Sequence, residues 1–96
     1  MTSIIAHLNK VFDSRVRLGI MAILSVNESA DFNTMKELMD ITDGNLASHL
    51  KALENIQYIQ CKKQFIGRKP NTQYEITELG RYSFQEHLSA LEKLVG

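Results

Sequence analysis

One cysteine, one proline and no net charge in 96 residues leave several classes of function without material. Cys61 has no second cysteine to join, which excludes an internal disulfide and any zinc site built from several cysteines. A single thiol in an unstapled chain fits a reducing compartment, so a cytoplasmic location is expected. Long hydrophobic runs are also missing. The apolar stretch 18–26, preceded by Arg15 and Arg17, comes nearest to a secretion signal. It starts late, Asp13 interrupts its basic flank, and it is far too short to span a bilayer. It reads as a core helix, and no membrane partner is expected. The chain has no glycine-rich phosphate loop, no paired-carboxylate constellation and no nucleophile motif. His7 and His87 form no metal-ligand or catalytic spacing with each other or with Cys61. No enzyme, cofactor or metal site is expected.

What is present suits one modest core. The chain is 44% hydrophobic and 23% charged, and a domain typically needs about 100–150 residues, so residues 1–96 are expected to form a single domain. A chain this small buries its own surface only marginally, which favours sharing surface with a second copy.

The zero net charge conceals a strong asymmetry. Residues 1–45 carry four basic and six acidic side chains, and residues 75–96 carry two and four. Between them, residues 46–74 carry Lys51, Lys62, Lys63, Arg68 and Lys69 against Glu54 alone. Positive charge gathered in one stretch says more about partners than the total does.

Ile4, Ile5, Leu8, Val11 and Phe12 follow helical spacing and predict a short first helix over about 3–12. Asp13 or Ser14 then caps a second helix with the stripe Val16, Ile20, Ile23 and Leu24. After the polar exit at 27–30, Asn33 or Thr34 caps a short helix carrying Met35, Leu38 and Met39. Asp40-Ile41-Thr42 is a turn in which Ile41 plugs the gap between helices. Thr42 caps a helix over about 43–55, with Asp43 near its positive end and Leu46, Leu50 and Leu53 as its buried stripe. Two short helices across a brief turn make a helix-turn-helix pattern. The period then changes to two. Ile59, Cys61 and Phe65 point inward, Gln60, Lys62 and Gln64 outward, residues 66–72 turn, and Tyr74 and Ile76 return inward on a second strand. Thr77 caps a last helix over about 77–95.

On a wheel of about 100° per residue, Ser48 and Asn55 lie opposite the leucine stripe of helix 43–55, with Gly44 and Lys51 beside them. Asn45, Ala47 and Ala52 flank this face. A major groove about 12 Å wide suits such a surface: small residues for close approach, amide and hydroxyl groups for base edges, a lysine for phosphate or guanine. Asp43, Gly44, Asn45, Ala47, Ser48, His49 and Lys51 are therefore the candidate contacts of a recognition helix. His49 falls on the border of the buried face, where an internal hydrogen bond and a base contact both remain open. In the turn Gly67-Arg68-Lys69-Pro70-Asn71-Thr72, two adjacent cations project. With Lys62 they form a line of phosphate-directed charge, and an arginine at a hairpin tip can enter a narrow minor groove. The candidate contacts here are Lys62, Arg68, Lys69 and Thr72. Cys61, on the apolar side of its strand, reads as an inert core residue. Ile4, Ile5 and Leu8 of the first helix, and the seam Phe84, Leu88, Leu91 and Val95 of the last, exceed what so small a core uses. They are the candidate dimer interface.

These residues together resemble the small stand-alone winged-helix transcription regulators related to the MarR and ArsR groups. The stretches that carry the resemblance are Arg17-Leu18-Gly19-Ile20, Asp31-Phe32-Asn33, 43–54, 67–72 and 74–80, in order along nearly the whole chain. The resemblance implies a mainly α fold with a β-hairpin wing, a winged helix-turn-helix of order α-α-α-α-β-β-α. It implies a recognition helix at 43–55, a basic wing at 62–74, double-stranded DNA as partner, and a homodimer made by the terminal helices. Two departures stand out: Arg15 occupies a position where a proline is usual, and Gln57 one where a glycine is usual. Asn55 or Gln57 must then take the left-handed conformation after the recognition helix. The cysteine motif of metal-sensing relatives is missing, so metal sensing is not implied, and no small-molecule effector is assigned. A protein-interaction module built on the same fold is the alternative, since fold alone does not choose between them.

Overall fold

A computed structural model describes residues 3–96 of the chain. Ser14, in extended backbone, accepts a hydrogen bond from the Arg17 N–H and starts α1, Arg15–Val26, which buries Val16, Ile20, Met21 and Leu24. A two-residue strand β1, Ala30–Asp31, follows and leads directly into α2, Phe32–Met39. Asp40 ends α2 in the left-handed region at φ 51°, and Thr42 caps α3, Asp43–Asn55, by accepting from the Asn45 N–H at 3.2 Å. Strands β2, Ile59–Ile66, and β3, Lys69–Ile76, form an antiparallel hairpin, and α4, Glu78–Val95, closes the chain. Among the described residues this makes four α-helices and one three-stranded sheet of order β1-β3-β2. The winged-helix fold expected from the sequence is present, with one α-helix fewer than the expected order α-α-α-α-β-β-α and with a short strand, β1, that this order lacks.

The core lies between the helices and the root of the hairpin. Phe12, Ile20, Met21, Leu24, Met35, Leu46, Leu50, Leu53 and Ile59 are its fully buried side chains. Thr77 joins the hairpin to α4 by donating from its hydroxyl to the Gln57 carbonyl and from its N–H to the Tyr58 carbonyl. Gly80 sits so close to that strand entry that a Cβ built on it would lie 2.0 Å from the Tyr58 carbonyl oxygen. Only glycine allows this approach. After α3, Gln57 takes the left-handed conformation at φ 64°, one of the two residues expected to do so.

Several expectations are corrected. The first helix is not an α-helix: turns over residues 3–8 lead to a single 3-10 turn, Lys10–Phe12. The cause is Asn9, whose backbone N–H leaves the helical ladder and donates to Nδ1 of His87 at 3.0 Å. Its side chain caps Val11 and donates to the Tyr58 hydroxyl. Phe84 belongs to the core, packed edge-on to Phe12 with ring centroids 5.5 Å apart, and not to a dimer seam. The face of α4 turned to its own core is Gly80, Phe84 and His87, spaced four and three residues apart. The cap of α2 is Asp31 rather than Asn33 or Thr34, because the chain passes from β1 into the helix without a loop. Leu38 faces outward. The hairpin turn occupies Gly67 and Arg68 alone, since Ile66 pairs with Lys69 and the strands run on through residues expected to turn. Gly67, at φ 65°, is the residue that such a turn requires in its first central position. Phe65, expected inward, is 74% exposed because the hairpin has left the core by that point.

Candidate nucleic-acid interface

The outer face of α3 carries Gly44, Asn45, Ala47, Ser48 and Lys51, all exposed, while Leu46, Leu50 and Leu53 hold the helix down. Nothing lies within 4 Å of a Cβ built on Gly44, so a flat partner meets no obstruction there. Asp43, at the helix start, is tied to Lys36 of α2 by a 2.7 Å salt bridge. That pairing offsets the one acidic charge at the end of the helix nearest the candidate contacts. His49 is half-buried, and its Nδ1 accepts a 3.0 Å hydrogen bond from Nε of Arg17 on α1. Burial, and then the charge of Arg17, holds its pKa below the ordinary value. The internal bond is thus one of the two roles left open for His49. Arg17 is not among the site residues expected from the sequence, and no spacing rule links residues 32 apart.

In the hairpin, opposite residues share a face. Ile59, Cys61, Lys63 and Phe65 face the same way as Ile76, Tyr74, Thr72 and Pro70; Gln60, Lys62, Gln64 and Ile66 face the other way with Glu75, Gln73, Asn71 and Lys69. Lys62 is not a free cation. Its ammonium lies 3.0 Å from Glu75, whose carboxyl is held below the usual range by hydrogen bonds from Lys62 and Gln60. Lys63, Arg68 and Lys69 are exposed and have no ion-pair partner among the described residues. Thr72 is half-buried beside Lys63. Cys61 packs half-buried against the core, next to Tyr74, whose phenol burial pushes up to about 12. The wing and the outer face of α3 are thus separate elements of one domain, both rich in uncommitted donors.

Residues 16–95 match the family described as winged helix DNA-binding domain. The chain belongs to this family. An uncharacterized protein of Methanocaldococcus jannaschii is 39% identical to this winged helix domain over 85 residues, 88% of this chain and 92% of that one. The structure of a transcriptional regulator homologue from Pyrococcus horikoshii superimposes with a TM-score of 0.77 at 32% identity, over 90% of each chain. The YusO protein of Bacillus subtilis shares the fold, with a TM-score of 0.80 at 19% identity, over 90% of this chain and 60% of its own.

At the ends of this winged helix domain the apolar surface is divided. Ile4 is 80% and Val95 86% exposed, Ile5 is exposed, and Leu88 and Leu94 are partly so. Leu8 and Leu91 are half-buried. Between residues 3–7 and the end of α4 runs an open groove of about 570 Å³, with Ile4, Ala90 and Leu94 among its walls. No helix among the described residues is long and apolar enough to cross a membrane.

Proposed function

We propose that this winged helix domain is a sequence-specific transcription regulator that binds double-stranded DNA as a homodimer. In this reading α3 enters the major groove, where Asn45, Ser48 and Lys51 meet base edges and phosphates. The wing anchors through Arg68 and Lys69 to the backbone or the adjacent minor groove. The observation that carries it is the pairing pattern of the charges. Asp43 and Glu75 are each held by a lysine, while the cations of the wing tip remain uncommitted and the exposed face of α3 is small and polar. Family membership supports DNA as the partner. DNA binding of this kind is dominated by counterion release and weakens steeply with salt.

The dimer is supported by the apolar surface left at Ile4, Ile5, Leu88, Leu91 and Val95 and by the modest charge of one reading head. Two-fold symmetry would set two recognition helices one DNA turn apart, about 34–36 Å, on a palindromic site. Two weak half-site contacts then combine through effective concentration. A mobility-shift series on random duplex DNA at low and moderate salt tests the reading. Binding at low salt that fades at moderate salt supports it; absence of binding even at low salt overturns it in favour of a protein-interaction module.

A further inference from the structure

The outer half of the wing is more than a basic loop. Its two exposed apolar side chains, Phe65 at 74% and Ile66 at 63%, stand next to the turn on opposite faces of one strand. Burial along the core-facing row of β2 falls from Ile59, at 2%, through half-buried Cys61 to exposed Lys63 and Phe65. At about 3.3 Å per residue the five steps from Cys61 to Ile66 carry the tip roughly 16 Å beyond the core. Among the described residues nothing covers these side chains. The tip has a definite composition: Phe65 stands opposite Pro70 on one face, Ile66 beside Lys69 on the other, and Lys63 and Arg68 lie within three residues of both. Apolar flanks ringed by cations complement one kind of surface in particular. The walls of the DNA minor groove are deoxyribose C–H groups, and its rims are phosphates.

We infer that the wing is an apolar wedge, with Phe65–Pro70 and Ile66 inserted between the sugar walls of the minor groove while Lys63, Arg68 and Lys69 hold the phosphates at its rims. The inference rests on the DNA-binding reading and adds to it a means of selecting sequence. A minor groove is about 6 Å wide. A two-stranded ribbon with side chains on both faces needs nearer 10 Å, the face-to-face spacing of packed sheets. Entry therefore widens the groove and bends the duplex. Flexible pyrimidine–purine steps yield more readily than stiff A-tracts, so the wing favours the former without hydrogen-bonding any base.

The test uses the full chain with duplexes carrying either a TA step or an A-tract at the wing position. Affinity is measured by mobility shift across a salt series, and bending by energy transfer between dyes at the duplex ends. Phe65→Ala is expected to lower affinity about tenfold on the TA duplex, to leave the salt slope unchanged, and to reduce the bend. Phe65→Leu is expected to restore most of both. Arg68→Ala is expected to reduce the salt slope with the bend retained. Because Phe65 contributes nothing to the core, the thermal midpoint of Phe65→Ala should equal the parent's; if it falls, Ile66→Ser, on the opposite face, carries the same test. Tight DNA binding by the parent with no change in affinity or bend for either variant overturns the wedge and leaves the DNA-binding reading standing. A parent that binds no DNA overturns both.

Discussion

Nε of Arg17, in the first turn of α1, donates a 3.0 Å hydrogen bond to Nδ1 of His49 on α3. With Nδ1 accepting, the imidazole is neutral and carries its proton on Nε2. Protonation of Nδ1 would place a hydrogen against the guanidinium. The contact thus fixes how α3 sits on α1 and does so only while His49 is uncharged.

A pH dependence of stability follows from that bond. The folded state resists the proton more than the unfolded chain does, since burial and Arg17 lower the pKa of His49 from 6.5. The contribution is complete above pH 6.5 and declines as pH falls through 6.5 toward the lowered folded value, because there the unfolded chain binds more protons. Denaturant melts of the parent and of His49→Gln between pH 8 and 5 isolate the effect. The glutamine can still accept from Arg17 but does not titrate, so its stability should fall less over that window. Identical slopes would show that the bond has no energetic consequence.

Gly80 and Gly44 make a paired experiment. Gly80→Ala forces a methyl group against the Tyr58 carbonyl and is expected to cost about 3 kcal/mol or more, since strand entry and helix must separate. Gly44→Ala meets open space and should be neutral or stabilise by up to about 1 kcal/mol through helix propensity. Urea midpoints measure both. A tolerated Gly80→Ala would mean that α4 does not pack on the hairpin root as described.

Within the DNA-binding reading, the contacts divide into anchors and readers. Alanine at Arg68 or Lys69 should weaken binding on all sequences and lower the salt slope by roughly one each. Alanine at Asn45 or Ser48 should change sequence preference by about 1–3 kcal/mol at a contacted base. Lys62→Ala should change the slope less than either wing-tip variant, because Glu75 already holds that charge. Selection from a randomised duplex library, repeated at three salt concentrations, separates the classes. Helix variants that keep the parent's preference would reverse the assignment of anchor and reader.

Two variants of α4 should behave oppositely. Leu88→Glu with Leu91→Glu is expected to yield monomers in sedimentation that keep a folded hairpin and lose affinity for a palindromic site. Phe84→Ala removes a core ring packed edge-on against Phe12 and should cost about 3–5 kcal/mol without acting through the proposed association surface. A monomeric parent at micromolar concentration would remove the dimer altogether.

The apolar periods, the caps Thr42 and Thr77, a cap at Asp13 or Ser14 and the cation-rich stretch 46–74 were legible in the chain because each is a local property. Helix faces, their starts and the change from period 3.6 to period 2 are written within a few residues of where they act. So α3, its leucine stripe and the hairpin followed from sequence alone. What tertiary structure decided are the relationships between distant residues. Asn9 gives its N–H to His87 across 78 positions and so ends the first helix before it forms. Phe84 is drawn inward by Phe12, and Lys62 and Asp43 are taken out of the pool of free charge by Glu75 and Lys36. Phe65 lies exposed although its strand alternation pointed it inward. Alternation specifies which face a side chain is on; where the core stops beneath that face depends on how far the helices reach.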